Sequence, residues 1–134
     1  MERRLFFAIF SLSMLVVVAC GTSQTEEAFT PAPVPAEFAG KTNPFGAEAA
    51  AAGAEVFRSN CESCHGPQGH GDGVAGQALD PKPKNLANLQ AMVGDDYLYW
   101  RIYEGKPGSA MVAWNGILTD EQIWQAVSFI RTLK

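Results

Sequence analysis

The sequence has no strand-length stretch of alternating apolar and polar residues and no internal repeat. A sheet-based domain and a solenoid are therefore excluded as first readings. With 134 residues, one small core is the expectation, because two cores need a longer chain. Basic residues are scarce, 10 Lys and Arg against 14 Asp and Glu. That balance argues against nucleic acid, whose binders cluster Lys and Arg. No set of acid and base groups arranged for turnover of a substrate stands out.

Apolar residues make up 47% of the chain, but many are gathered at the start. Arg3 and Arg4 precede a run from Leu5 to Cys20 that only Ser11 and Ser13 interrupt. A basic start, an apolar middle and small residues at the end describe a secretory signal. The run falls short of the roughly twenty apolar residues of a spanning helix. Its end, Val17-Val18-Ala19-Cys20-Gly21, resembles the lipobox of bacterial lipoproteins. The resemblance implies cleavage of residues 1–19 and a lipid-modified Cys20 that anchors the protein to the outer, extracytoplasmic face of the cytoplasmic membrane. Loss of Glu2, Arg3 and Arg4 leaves 8 basic and 13 acidic residues, a net charge of −5.

Residues 20–46 follow, rich in Thr, Ser, Glu, Ala and Pro, and too poor in large apolar residues to build a core of their own. They read as a flexible linker. The alternative is a strap packed along the domain or a partner, to which Phe29, Phe38 and Phe45 would contribute. Residues 47–134 read as the folded domain. A first helix is expected from about Ala47 to Arg58, with Ala50, Gly53, Ala54, Phe57 and Cys61 on one face. A long Gly- and Pro-rich loop spans Gly66 to Lys84, a length that calls for some extra surface to pack on. A second helix opens at Asp95 and Asp96 and is capped by Gly105. The last starts at Thr119 with a capping box to Gln122, buries Ile123, Ala126, Val127, Ile130 and Leu133, and is expected to reach the C-terminus. The class is all-α.

Cys61-Glu62-Ser63-Cys64-His65 forms one C-x-x-C-H, the attachment signature of c-type haem. Two thiols at this spacing can span the two vinyl groups of the porphyrin, and the adjacent imidazole can face the iron. Zinc is a poor alternative. With Cys20 assigned to the anchor, only Cys61, Cys64, His65 and the distant His70 remain, without a second C-x-x-C. A thioredoxin-like pair would sit in a β-α-β context that is missing. A plain disulfide leaves the long loop unexplained.

For a sixth iron ligand the candidates are Met111, His70 and Met92, in that order. Met111 lies in a non-helical segment, Gly108 to Trp114, that can cross an open haem face. His70 sits among glycines where a solvated side chain is the default, and Met92 reads as core filler.

From about Ala47 to Lys134 the chain resembles a class I cytochrome c domain. The resemblance rests on Gly53 and Phe57, Cys61 to Gly66, Gly71-Asp72-Gly73, Pro83 to Leu86, Met111-Val112-Ala113-Trp114 and Phe129. It implies a small helical fold around one covalent haem c, with Gly53 and Phe57 against Phe129. It also implies thioether links to Cys61 and Cys64, and iron held by His65 and Met111. Val112 stands where relatives often carry proline, and either Pro81 or Pro83 is expected to offer a carbonyl to the His65 ring. The implied function is electron transfer, not catalysis. The expected partners are redox proteins or a membrane electron-transport complex. The lipobox, linker and single haem together also resemble the monohaem lipoprotein subunit of respiratory or photosynthetic complexes such as alternative complex III.

Overall fold

In the computed structural model the described residues are 29–134. The expected signal segment 1–19 and Cys20 lie outside them. Ala50–Asn60 forms helix α1, entered through a 3-10 turn at Ala47–Ala49. Its opening alanines suit a helix, while Gly53 costs roughly 1 kcal/mol relative to alanine there. The reason for Gly53 lies in the helix it crosses, α5, which spans Asp120–Ile130. A Cβ on Gly53 would collide with the Gln125 carbonyl of α5. The two backbones touch at this point, and Phe57 packs on Phe129 with ring centroids 5.0 Å apart, as the family resemblance implied.

Helix α5 begins as expected: the Thr119 hydroxyl accepts from the Gln122 amide at 3.2 Å, and the Gln122 side chain accepts from the Thr119 amide at 2.9 Å. Ile123 and Val127 are fully buried, at 0% exposure. The helix stops at Ile130 instead of reaching the C-terminus. There the chain turns, with the Thr132 amide donating to the Phe129 carbonyl at 2.8 Å. The turn lets Leu133 lie buried beside Gly69 and Leu86, which a continued helix would not.

Three shorter helices complete the frame. Glu62–His65 forms α2, Leu86–Gln90 forms α3 and Asp95–Glu104 forms α4. Neither α2 nor α3 was expected from the sequence. Asn85 caps α3, its side-chain oxygen accepting from the Asn88 amide at 3.0 Å. Asp95 and Asp96 occupy the first turn of α4, where negative charge is favoured, and Gly105 ends it with φ +70°. Arg131, just past α5, ties these pieces together: its guanidinium donates to Asp95 at 2.8 Å, to the Val93 carbonyl at 2.9 Å and to the Gln90 carbonyl. No strand occurs among the described residues, only an isolated bridge between Asn115 and Leu118. No helix among them is long and apolar enough to cross a membrane.

Part of the stretch expected to be linker is packed. Phe38 is only 7% exposed and sits against Tyr99 and Tyr103, with centroid distances of 6.2 and 5.5 Å. The Asn43 side chain donates to the Trp124 carbonyl at 3.1 Å and to the Ser128 hydroxyl at 2.8 Å. The strap alternative thus holds for this segment. It needs no core of its own because α4 and α5 already present one.

Candidate cofactor site

The motif stands where α1 gives way to α2. Cys61 leaves helical geometry, with φ −120°, and its amide still bonds to the Phe57 carbonyl at 2.8 Å. Cys64 and His65 follow on the single turn of α2, both half-buried. The glycine-rich loop packs directly on this backbone: a Cβ at Gly73 or Gly76 would strike the Cys64 carbonyl. The Ala75 amide donates to the Ser63 carbonyl at 2.9 Å, and the Gly71 amide to the His65 carbonyl at 2.8 Å. Part of the surface the loop needed is therefore the motif itself.

Above the motif lies a cavity of about 410 Å³. This is within the usual range for sites that take small molecules and cofactors. Its walls are mostly apolar, with Phe57, Leu86, Leu98, Ile102, Trp114 and Ile130 among them, and Cys61, Cys64, His65 and Met111 open onto it. His70 and Met92 are absent from its walls. His70 bonds to the Lys134 carbonyl at 3.3 Å on the surface, and Met92 is 56% exposed.

Met111 is presented by the segment after α4. Gly105 carries no side chain because a Cβ there would run into the Met111 and Val112 backbone. The Lys106 amide donates to the Met111 carbonyl at 2.9 Å, and the Trp114 amide returns to the Ile102 carbonyl at 3.1 Å. The end of α4 therefore fixes the methionine's backbone.

The electrostatics favour neutral donors. Burial pushes the Cys61 thiol up to about 12, and the nearby Cys64 adds to the rise. The sulfur stays protonated at neutral pH while nothing is bound to it. Burial pulls the His65 ring below the ordinary imidazole range, partly offset by the Lys84 backbone. The ring is neutral at pH 7 and has a lone pair to offer. Its Nδ1 is shut off from solvent without a well-formed hydrogen bond, which leaves Nε2 as the nitrogen with access to the cavity.

A second buried donor is Arg101 Nε, without a hydrogen-bond partner among the described residues. The guanidinium lies 3.7 Å over the Trp100 ring and 5.5 Å from the Tyr97 centroid, and the side chain lines the same cavity. A buried unpaired donor is costly unless an acceptor arrives. A flat apolar group carrying carboxylates, as haem does, fits both the apolar walls and this donor. Sequence reading missed Arg101. Its signal was the helix's one cation, standing among Tyr97, Leu98, Tyr99, Trp100 and Ile102.

Comparison with known proteins places the stretch that carries this site in a known family. Residues 48–130 match the family model described as cytochrome c oxidase, cbb3-type, subunit III. Cytochrome c6 of Synechococcus elongatus is 34% identical over 78 residues, which cover 58% of this chain and 83% of that protein. Cytochrome c6 of Thermosynechococcus vestitus is 33% identical over 78 residues, covering 58% of this chain and 64% of that protein. Among solved structures, the Kuenenia stuttgartiensis reducing HAO-like protein complex Kustc0457/Kustc0458 superposes with a TM-score of 0.57 at 19% identity. The match covers 78% of this chain and 48% of that one. At that identity the likeness concerns the fold alone.

Proposed function

The chain belongs to the cytochrome c family, and from that premise we propose that it is a membrane-tethered monohaem carrier serving a respiratory or photosynthetic electron-transport complex, as a subunit or as its donor or acceptor. As a member of the family it binds haem c covalently and transfers electrons. In the proposed arrangement Cys61 and Cys64 form the thioether links, His65 and Met111 hold the iron, and lipidated Cys20 anchors the chain outside the cytoplasm.

The observation that carries the reading is the convergence of Cys61, Cys64, a neutral His65 and Met111 on one apolar cavity. Bound there, haem supplies a one-electron iron couple. The chain's own residues do the rest. His65 offers Nε2 while the Lys84 backbone acts on its ring. Met111 brings a thioether, which favours the reduced state relative to a second imidazole. Arg101 offers its donors to a carboxylate. The apolar walls keep water out, which lowers the local dielectric and raises the potential. With His65 and Met111 both holding the iron, no position would be left for a substrate, which would suit a carrier and not a catalyst.

The test is a spectrum of the purified holo-protein together with haem staining after denaturing electrophoresis. Stain that survives denaturation and a low-spin ferric form that resists cyanide are expected. A colourless chain, or a high-spin form that binds cyanide or carbon monoxide readily, would overturn the proposal.

A further inference from the structure

We infer that residues 29–34 are an added wall of the haem cavity, a cover that keeps water and small redox-active molecules away from the porphyrin edge. The inference deepens the haem reading and rests on it. The family match spans residues 48–130, so this wall lies outside the stretch that the chain shares with the family.

The strap behind it puts the cover in place. Phe38 is buried against Tyr99 and Tyr103 of α4, neither of which lines the cavity. The Gly40 amide donates to Asp96 at 2.9 Å, and the Asn43 side chain holds α5 through the Trp124 carbonyl and the Ser128 hydroxyl. The Phe38 and Ala39 amides both donate to the Pro35 carbonyl at 2.9 Å, which turns the chain. On the other side of that turn the chain runs to the cavity, where Phe29, Thr30 and Ala32 enter the wall. There Lys84 Nζ stands 4.4 Å from the centre of the Phe29 ring, within the range of a cation–π contact. Lys84 belongs to the loop before α3, which lines the cavity with Leu79, Pro81 and Pro83 as well. The strap therefore joins the outer face of α4 to that loop.

The segment is built as a cover. Pro31, Pro33 and Pro35 fix φ at alternate positions. It keeps its course although, among the described residues, no backbone hydrogen bond joins 29–34 to the domain. Val34 packs on the core. Thr30 and Ala32 line the cavity and are exposed at the same time, which sets them between the cavity and solvent.

A reduced haem gives its electron to any small oxidant that reaches its edge, and water at the edge favours the ferric state by solvating its extra charge. A cover opposes both. Its removal has two effects of opposite sign on reduction of the haem. The potential falls, which weakens the driving force, while the edge becomes reachable, which speeds electron entry from a small donor.

The test uses the full-length holo-protein and a neutral flavin radical produced by a light flash, which gives one electron to ferric haem and releases its proton as it becomes oxidised flavin. In one variant Gly and Ser replace residues 29–34. The other, Phe29→Ala, keeps the whole strap and its anchors. The first should be reduced severalfold faster than the native protein although its midpoint potential is lower, and Phe29→Ala should shift both quantities the same way by less. The donor is neutral and neither variant alters a charged residue, so charge at the rim cannot produce the difference. A haem site that is merely disturbed loses potential without gaining rate. Reduction of the Gly/Ser variant no faster than that of the native protein would overturn the inference. Where that variant folds poorly, Phe29→Ala decides alone, and a native rate there overturns the inference equally. A native protein without covalent haem, or with a high-spin iron that binds cyanide readily, would instead refute the haem reading beneath it, before any variant is compared.

Discussion

Gly53→Ala sets two effects of opposite sign against each other. In an isolated helix alanine gains roughly 1 kcal/mol over glycine. In α1 the added methyl points at the Gln125 backbone carbonyl of α5, and the Phe129 Cβ stands 3.0 Å away. A flexible side chain could swing aside, but a helical carbonyl cannot, so the helices must separate at their crossing. Overpacking of this kind costs about 1–3 kcal/mol and more where backbone has to move. The displaced contacts include the Phe57–Phe129 pair and the fully buried Ile123 and Val127. The collision wins, with a net loss of about 2 kcal/mol. In a domain of about 100 residues this lowers the melting temperature by roughly 10 °C. Thermal unfolding of the holo-protein, followed by far-ultraviolet circular dichroism and by haem absorbance, measures it. A midpoint equal to the native one, or above it, would refute close backbone contact as the reason for this glycine.

Met111→Ala should leave haem attached, lower the reduction potential and let carbon monoxide bind; an unchanged potential in redox titration would place the ligand elsewhere. Arg101→Met removes a cation and a buried donor from the cavity. A carboxylate placed there loses its partner and its pKa rises, so the midpoint potential should fall and its dependence on pH should move toward neutral; identical potential–pH curves would refute the pairing. Burial, with Asp120 accepting from the hydroxyl at 2.9 Å, holds Tyr99 above the ordinary tyrosine range. The unfolded chain therefore loses this proton first, near pH 10, and stability falls as pH rises from there toward the folded-state value. Tyr99→Phe should flatten that alkaline decline at a loss of about 1 kcal/mol near neutrality from the missing hydrogen bond. Urea midpoints between pH 8 and pH 11 check both parts.

What the sequence made legible was local or carried by close spacing. Thr119 and Gln122 stand three residues apart and cap each other whatever surrounds them. Gly105 marks a helix end because α4 needs a positive φ there, and the C-x-x-C-H carries its chemistry within five residues. The features that escaped depend on distant chain. Phe38 was legible only as part of an alternative strap, because the place that Tyr99 and Tyr103 leave for it is not encoded in its Pro- and Ala-rich neighbourhood. The end of α5 is decided by Leu133 finding cover beside Gly69 and Leu86. Arg101 escaped because its place in the cavity wall is set by the packing of α4 and not by its local sequence.

The loop that presents Met111 is closed by the Lys106 amide on the Met111 carbonyl and anchored through Trp114 to the last turn of α4. On the proposed ligation, the thioether cannot drift away alone, because its backbone is latched at both ends. Exchange of that ligand for an added one should then proceed at the frequency with which the latch opens, saturating at high ligand concentration instead of rising in proportion to it.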